Sequence, residues 1–330
     1  MPIYHYEDDC GMFGDVKIFS GTASPQLAAE IASYLGVPLS EHTVQHFSND
    51  NLWVRLGCSV RGQDVYIIQT TSPPVHRNLM ELLITLQTLR LDSAGRVTAV
   101  IPYLCYARSD KKDKPRVPIT ARLVADMIEI AGANRYMTLD LHAGQIQGFF
   151  SIPGDVLSAF HILTDYILSL RDQMENPVVV TADLGFAKKG RNLAVAIDAS
   201  MAFIEKRRTG KNDRPEALTL IGEVEGRDVI VVDDEVDTGR SVSQAVNIVK
   251  SHGARNIYML FVHPIFSADS VERLAALPVT KIVTTDTVPI PPEKLALLGD
   301  KLKVLSIAPL LGEVIRRAHE GRSVGEMFNE

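Results

Sequence analysis

Cysteine is scarce in this chain. The three present among 330 residues, Cys10, Cys58 and Cys105, are odd in number, far apart and outside any Cys-x-x-Cys spacing. That excludes a disulfide framework and a structural zinc site, and fits a reducing compartment. Long apolar runs are missing too, since no window approaches the roughly eighteen uninterrupted apolar residues of a membrane helix. The first ten residues, MPIYHYEDDC, carry acids where a secretory leader has an apolar stretch. The chain is therefore expected to be a soluble cytoplasmic protein. Nor is there an excess of positive charge: 34 Lys and Arg stand against 40 Asp and Glu, a formal net charge of −6. Nothing draws nucleic acid or an anionic membrane to the surface at large, so neither is expected as a partner, and any anion site has to be assembled locally.

What is present is apolar material, 46% of the residues, enough for two core-forming domains. Short β-branched runs alternate with helical patterns: VKIFSG then SPQLAAEIASYLG, DVYIIQ then NLMELLITLQTLRLDS, RVTAVIPYL, NPVVVTAD, DVIVVDD then SVSQAVNIVKSHGA, and NIYMLFVHP. This alternation predicts an α/β fold of mainly parallel sheets flanked by helices. The two halves also repeat. VRGQDVYIIQTTSPP, starting at Val60, lies over VEGRDVIVVDDEVDTGRS, starting at Val224, and the likeness continues through a helix into a second strand. The first copy has Gln69, Thr70 and Thr71 where the second has Asp233, Asp234 and Glu235, and it has nothing matching Asp237 to Ser241. The first copy is expected to serve another role, such as binding a second substrate or making subunit contacts.

DVIVVDDEVDTGRS sets acids directly before a turn suited to phosphate. A loop at the carboxyl end of a parallel strand opens into the ligand crevice, and the helix beginning near Ser241 directs free N–H groups and its positive dipole end there. Thr238, Gly239 and Ser241 supply hydroxyls and a permissive backbone. The acids would repel phosphate unless sugar hydroxyls or a cation stand between, so they are expected to hold those. The plainer reading is a solvated N-cap cluster after a strand.

This loop resembles the phosphoribosyl-pyrophosphate loop of the type I phosphoribosyltransferase fold. From KIFSG near Lys17 to SVGEMF near the C-terminus, the chain resembles the ribose-phosphate pyrophosphokinase family, with DLHAGQIQGFF, YARSDKKDKPRVPITARLVADM and SIAPLLGEVIRRAHEG as its distinctive segments. The resemblance implies two tandem type I phosphoribosyltransferase-like domains, residues 1–159 and 160–315, with residues 316–330 packing back on the first. It implies a ribose-phosphate diphosphokinase that uses Mg²⁺ and moves the β,γ-diphosphoryl group of ATP or another nucleoside triphosphate to the 1-hydroxyl of ribose 5-phosphate. It further implies a homo-oligomer, a hexamer built from dimers. Carried over residue by residue, it gives Asp233, Asp234, Asp237, Thr238, Gly239, Arg240 and Ser241 to the ribose phosphate. Phe47, Asn49, Asn51, Arg108, Ser109, Asp113 and His142 go to the nucleotide, and His142 and Asp183 to its magnesium. Lys206 and Arg208, in the basic run FIEKRRTGKNDRP, would stabilise the transition state. Charge runs are usually solvated loops, but diphosphoryl transfer needs positive charge over the leaving oxygen.

Several positions depart from that family. Its Phe-x-Asp-Gly-Glu stretch is here Phe47, Ser48, Asn49, Asp50, Asn51, and the glutamine usual beside the loop arginine is Ser109. An amide donates as well as accepts, which changes the base edge it can read. Phe186 stands where the family has a small residue near the ribose phosphate, and is expected to crowd that pocket; Gly325 replaces a serine of the C-terminal segment. These changes leave two readings: an active synthetase with altered base preference, or a non-catalytic synthetase-like regulatory subunit that assembles with an active homologue. A phosphoribosyltransferase that consumes phosphoribosyl pyrophosphate fits the tandem copies poorly.

Overall fold

The computed structural model describes residues 13–182, 184–207 and 217–327. The chain divides into two compact units; among the described residues, one holds 13–157 and 308–327 and the other 158–307.

The first unit begins with β1 (Val16–Ser20), α1 (Pro25–Leu35), the strands β2 (His42–His46) and β3 (Leu52–Leu56), and β4 (Asp64–Ile68). It continues through α2 (Val75–Leu91), β5 (Arg96–Ile101), α3 (Thr120–Ala131), β6 (Arg135–Leu139) and β7 (Gly154–Leu157). β1, β4, β5, β6 and β7 lie side by side in that order, every pair parallel, while β2 and β3 form an antiparallel pair of their own. Proline at its first turn and Gly36 at its C-cap, φ 72°, delimit α1. β4 is buried along its whole length, as expected of a parallel strand covered on both faces. Phe19, Val65, Ile67, Val97 and Ala99 share a core with Leu82, Leu86 and Leu89 of α2 and Val124 and Ile128 of α3.

The second unit runs α4 (Phe160–Ser169), β8 (Val178–Thr181), α5 (Ala187–Ala196), β9 (Ser200–Arg207), β10 (Ala217–Ile221), β11 (Val229–Val236) and α6 (Arg240–Ser251). After these come β12 (Ile257–Pro264), α7 (Ser270–Ala275), β13 (Lys281–Thr285), α8 (Pro292–Leu298) and β14 (Leu302–Leu305). Its sheet has the order β10-β9-β8-β11-β12-β13-β14, parallel except where β10 turns back along β9. Val229, Val231, Met259 and Phe261 face Val242, Val246 and Val249 of α6. The last helix, α9 (Ala308–His319), falls in the first unit, not in the second. There it meets α1 so closely that a Cβ on Gly312 would lie 2.4 Å from Cδ1 of Tyr34.

The repeat read from the sequence is a repeat of structure: β4, α2 and β5 answer to β11, α6 and β12. It extends to a buried aspartate paired with an arginine in each copy. Asp64 accepts from Arg96 Nε at 2.7 Å and Nη2 at 2.5 Å, and Asp228 accepts from Arg255 Nε at 2.9 Å and Nη2 at 2.6 Å. Burial alone would push the Asp228 carboxyl upward; Arg255 and the N–H groups of Glu175 and Asn256 outweigh it and hold the group below its ordinary value. A carboxyl depressed in the folded state stabilises fully above its unfolded pKa and loses that contribution as pH falls through the folded one. Urea unfolding of the wild type and Asp228→Asn is therefore expected to differ undiminished down to about pH 5 and to converge below about pH 4. A gap that persists unchanged into stronger acid would refute this.

Candidate active site

The sheet of the second unit brings three of the sequence motifs to one edge. β9, β8 and β11 are adjacent and parallel. Phe203 pairs with Thr181 and Thr181 with Val232, so Lys206, the segment after Thr181 and the acids after Val232 all lie at the strands' carboxyl ends. β11 does not stop where the acids begin: Asp233 and Glu235 still pair with Phe261 and His263 of β12. Asp233 Oδ1 accepts from the N–H of Asp234, and Asp234 Oδ1 from that of Glu235, each at 2.9 Å. Beyond the strand, the carbonyl of Asp237 accepts from Ser267 N at 3.0 Å, and its carboxylate takes the Ser267 hydroxyl. Gly239 then turns the chain into α6 with φ 71°, a left-handed geometry that glycine adopts without strain. Arg240 and Ser241 open α6 and are exposed, with Thr238 and Asp237 half-buried behind them. Helix dipole and first-turn N–H groups face the same edge as the carboxylates. Asp183 and Arg208 lie outside the described residues.

The corresponding turn of the first unit is filled by its own side chains. Gln69, Thr70, Thr71 and Ser72 are buried. Gln69 Oε1 accepts from Ala23 N at 3.1 Å, its Nε2 donates to the carbonyl of Asn78 at 3.2 Å, and Ser24 Oγ accepts from Thr70 N at 3.0 Å. Thr71 Oγ1 donates to the Tyr103 carbonyl and accepts from Cys105 N, each at 2.8 Å. No anion cradle survives a turn so occupied. Gly21 makes the filling possible: a Cβ there would lie 1.9 Å from Gln69 Oε1 and 2.9 Å from Gln69 Cβ. Gly21→Ala is expected to destabilise the protein by about 1–3 kcal/mol through overpacking and to leave the KM for ribose 5-phosphate alone. Thermal unfolding and steady-state kinetics check both halves of that expectation.

The nucleotide candidates all belong to the first unit. Phe47, Asn49 and Asn51 form the turn between β2 and β3, closed by bonds from Phe47 N to the Asn51 carbonyl at 2.9 Å and from Asn51 N to Asn49 Oδ1 at 3.2 Å. Phe47 is 44% exposed, and Asp50 reaches Arg77 of α2 at 3.4 Å. Arg108, Ser109 and Asp113 lie after β5 and His142 after β6, and these strands are neighbours. The loops themselves are joined, because Gln145 Nε2 donates to the buried Asp110 Oδ2 at 2.5 Å. Ser109 Oγ accepts from Thr120 N at 3.2 Å and so ties the loop to the start of α3. Residues 111–116 are exposed.

Comparison with known proteins agrees with this geometry. Residues 16–132 match the model of the N-terminal domain of ribose phosphate pyrophosphokinase, and residues 190–329 that of the phosphoribosyl synthetase-associated domain. The chain is 44% identical to the ribose-phosphate pyrophosphokinase of Wolinella succinogenes, over 94% of this chain and 98% of that one. It is 46% identical to that of Caldanaerobacter subterraneus over 95% and 98%. It belongs to the ribose-phosphate pyrophosphokinase family. The solved phosphoribosylpyrophosphate synthetase of Mycobacterium smegmatis is 38% identical, covers 93% of this chain and all of its own, and superposes with a TM-score of 0.87.

Within that family, two of the departures noted in the sequence find local explanations. The Phe186 ring does not stand open beside the acidic turn: it is buried edge-on against Phe160 of α4, ring centres 5.2 Å apart, with Lys189 Nζ 5.5 Å from its centre. Asn49 uses its Oδ1 as an acceptor in the hairpin turn and has an Nδ2 donor besides, where a carboxylate could only accept. Asp110 was not singled out from the sequence, since a signed, proline-containing run reads as solvated loop. It is buried, and the side chain that donates to it lies 35 residues away.

Proposed function

We propose that this chain catalyses transfer of the β,γ-diphosphoryl group of ATP, or another nucleoside triphosphate, to the 1-hydroxyl of ribose 5-phosphate. The bond from the sugar O1 to the β-phosphorus forms as the bond from that phosphorus to the α,β-bridging oxygen breaks, and the 1-hydroxyl gives up its proton. The products are phosphoribosyl pyrophosphate and a nucleoside monophosphate. The observation that carries the reading is the sheet edge where the acids, the Thr238–Ser241 turn at the head of α6, and Lys206 meet in a chain matched by the family along nearly its whole length.

The 5-phosphate suits the Thr238 to Ser241 turn, where hydroxyls and first-turn N–H groups converge. Asp233 and Asp234 suit the sugar hydroxyls. Lys206, with Arg208, supplies positive charge over the bridging oxygen as negative charge develops on it. In the first unit, Arg108, Asp113 and His142 would hold the phosphates, and Phe47, Asn49, Asn51 and Ser109 would contact the base. Magnesium prefers oxygen ligands and shares its shell with waters and substrate phosphates; His142 and Asp183 would serve the magnesium of the nucleotide, the histidine contact being indirect or long, and Asp233 and Asp234 offer carboxylates to a metal at the ribose phosphate. When bound, it neutralises the phosphate oxygens. We also propose a cytoplasmic homo-oligomer, a hexamer of dimers, to be checked by light scattering.

Phosphorus NMR with Mg²⁺, ribose 5-phosphate and, in separate tubes, ATP, GTP, CTP and UTP tests the reading. Phosphoribosyl pyrophosphate should appear with an equal amount of the matching monophosphate. No turnover in any tube by folded protein would favour the regulatory-subunit reading, and release of pyrophosphate in a further tube supplied with phosphoribosyl pyrophosphate and a free base would favour a phosphoribosyltransferase. The single Trp53, 43% exposed on β3 beside the hairpin turn, offers a fluorescence readout of nucleotide binding.

A further inference from the structure

We propose that Asp110 and Gln145 form a clasp that sets the exposed loop after β5 against the turn that follows His142: they are positioning residues for the nucleotide. The inference rests on the reading that these two segments hold the nucleoside triphosphate.

The loop has a pinned neck. It leaves the first unit at Ser109 and returns at Thr120, and these two residues meet. Ser109 Oγ accepts from Thr120 N and donates to Thr120 Oγ1, each at 3.2 Å, and the Ser109 carbonyl accepts from Ala121 N at 3.1 Å. Just before the neck, Tyr106 takes φ 60°, a left-handed geometry that is costly for a bulky residue. Its carbonyl accepts from Ser109 N at 2.8 Å. A neck fixes where a loop begins and ends, but not where its tip points. Residues 111–116 are exposed, with Asp113 among them. Asp110, the first residue past the neck, is only 7% exposed. A carboxylate taken out of water is costly unless it accepts hydrogen bonds, and Gln145 Nε2 donates to its Oδ2 at 2.5 Å.

The other half of the clasp stands on firm ground. Gln145 belongs to the short turn Gly144–Phe149, three residues after His142. Its neighbour Ile146 is fully buried in the core with Leu104, Val124 and Ile128, and the Ile146 N–H donates to the Ala143 carbonyl at 3.1 Å. The Gln145 side chain itself is exposed, so its amide would trade Asp110 for water at little cost in stability. What the bond contributes is place: it holds the stretch that carries Asp113 at one distance from His142.

An exchange of donor and acceptor tests this without changing the size of either side chain. Gln145→Glu sets a second carboxylate where the amide donates, and like charges so close drive the new group out to water. Adding Asp110→Asn reverses the bond, because the amide introduced at position 110 donates to the carboxylate introduced at position 145. The expected result is a KM for ATP raised about tenfold by Gln145→Glu and returned to within about threefold of wild type in the double variant, with the KM for ribose 5-phosphate within about twofold throughout. A double variant no better than Gln145→Glu would mean that the Asp110 carboxylate acts on the ligand or its metal directly, and would overturn the clasp. Gln145→Glu with a wild-type KM would overturn it as well. If the wild type makes no phosphoribosyl pyrophosphate, the functional reading has failed instead. Limited trypsin digestion then decides whether the clasp exists, since Lys111, Lys112 and Arg116 are exposed cleavage sites on the loop. Faster cutting there in Gln145→Glu, reversed in the double variant, supports the clasp, and equal rates in all three proteins reject it.

Discussion

Lys206→Ala is expected to lower kcat by about a thousandfold while ribose 5-phosphate binds within about threefold of wild type. The argument starts from the strand. β9 continues past the last residue it pairs with β8, and Lys206 comes three positions after Phe203, at the edge where β11 delivers its acids. In the role proposed for it, a cation there would act on charge that exists only as the bridging oxygen leaves, so its loss would raise the barrier and not the ground-state energy. Donors aimed at a developing oxyanion are worth about 10²–10³ in rate, and cations at transferring phosphoryl groups about 10³–10⁵. Lys206→Arg should recover only part of the rate, because a planar fork does not replace a point charge. Monophosphate release gives kcat, and calorimetric titration with ribose 5-phosphate gives binding. Equal loss of both would mean that Lys206 holds the sugar phosphate and would sink the assigned role.

Asp64→Asn should be the most damaging single change to the fold of the first unit, about 3–5 kcal/mol. Asp64 is fully buried and gathers four donors: Arg96 through Nε and Nη2, the Tyr66 hydroxyl at 3.0 Å and His319 Nδ1 at 2.9 Å. Burial, with the Asp64 charge second, pushes the Tyr66 phenol up, so it stays a neutral donor. The asparagine leaves the Arg96 guanidinium, 13% exposed, without its countercharge and loosens His319 at the end of α9. The equivalent Asp228→Asn should cost less, about 1–2 kcal/mol, because Arg255 is 39% exposed and keeps Glu175. A fall of roughly 6–20 °C in the first unit's transition is expected for Asp64→Asn. Equal shifts for the two variants would show that the burial of the arginine does not decide the penalty.

Much of this was legible in the sequence because it rests on local pattern. The internal repeat announced two sheets, and its alignment set Asp64 over Asp228 and Gly62 over Gly226 before either pair or turn was seen; both glycines have φ near 70°. The acidic turn was legible because strand, acids, small residues and helix follow one another without interruption. What stayed hidden depends on contacts between distant segments. Nothing in VIVVDDEV tells the buried carboxylate, Glu235, from the half-buried Asp233 and Asp234; the packing of the neighbouring strand decides it. Nothing in YARSDKKDKPR marks Asp110 as the buried residue that accepts from Gln145. Phe186 read as an intruder because the sequence does not reveal that Phe160 waits beside it.

The excursion of the chain between β7 and α9 has a consequence for its synthesis. The first unit lacks α9, and with it the His319 donor to Asp64, until residues 158–307 have been made. At the usual rate of translation that interval is roughly 8–30 s, during which the face of α1 that receives Gly312 stands open; by its end the second unit, continuous in the chain, has all its strands while α9 is still to be made. The later-made half can therefore fold first, and the half that begins the chain is the last to close.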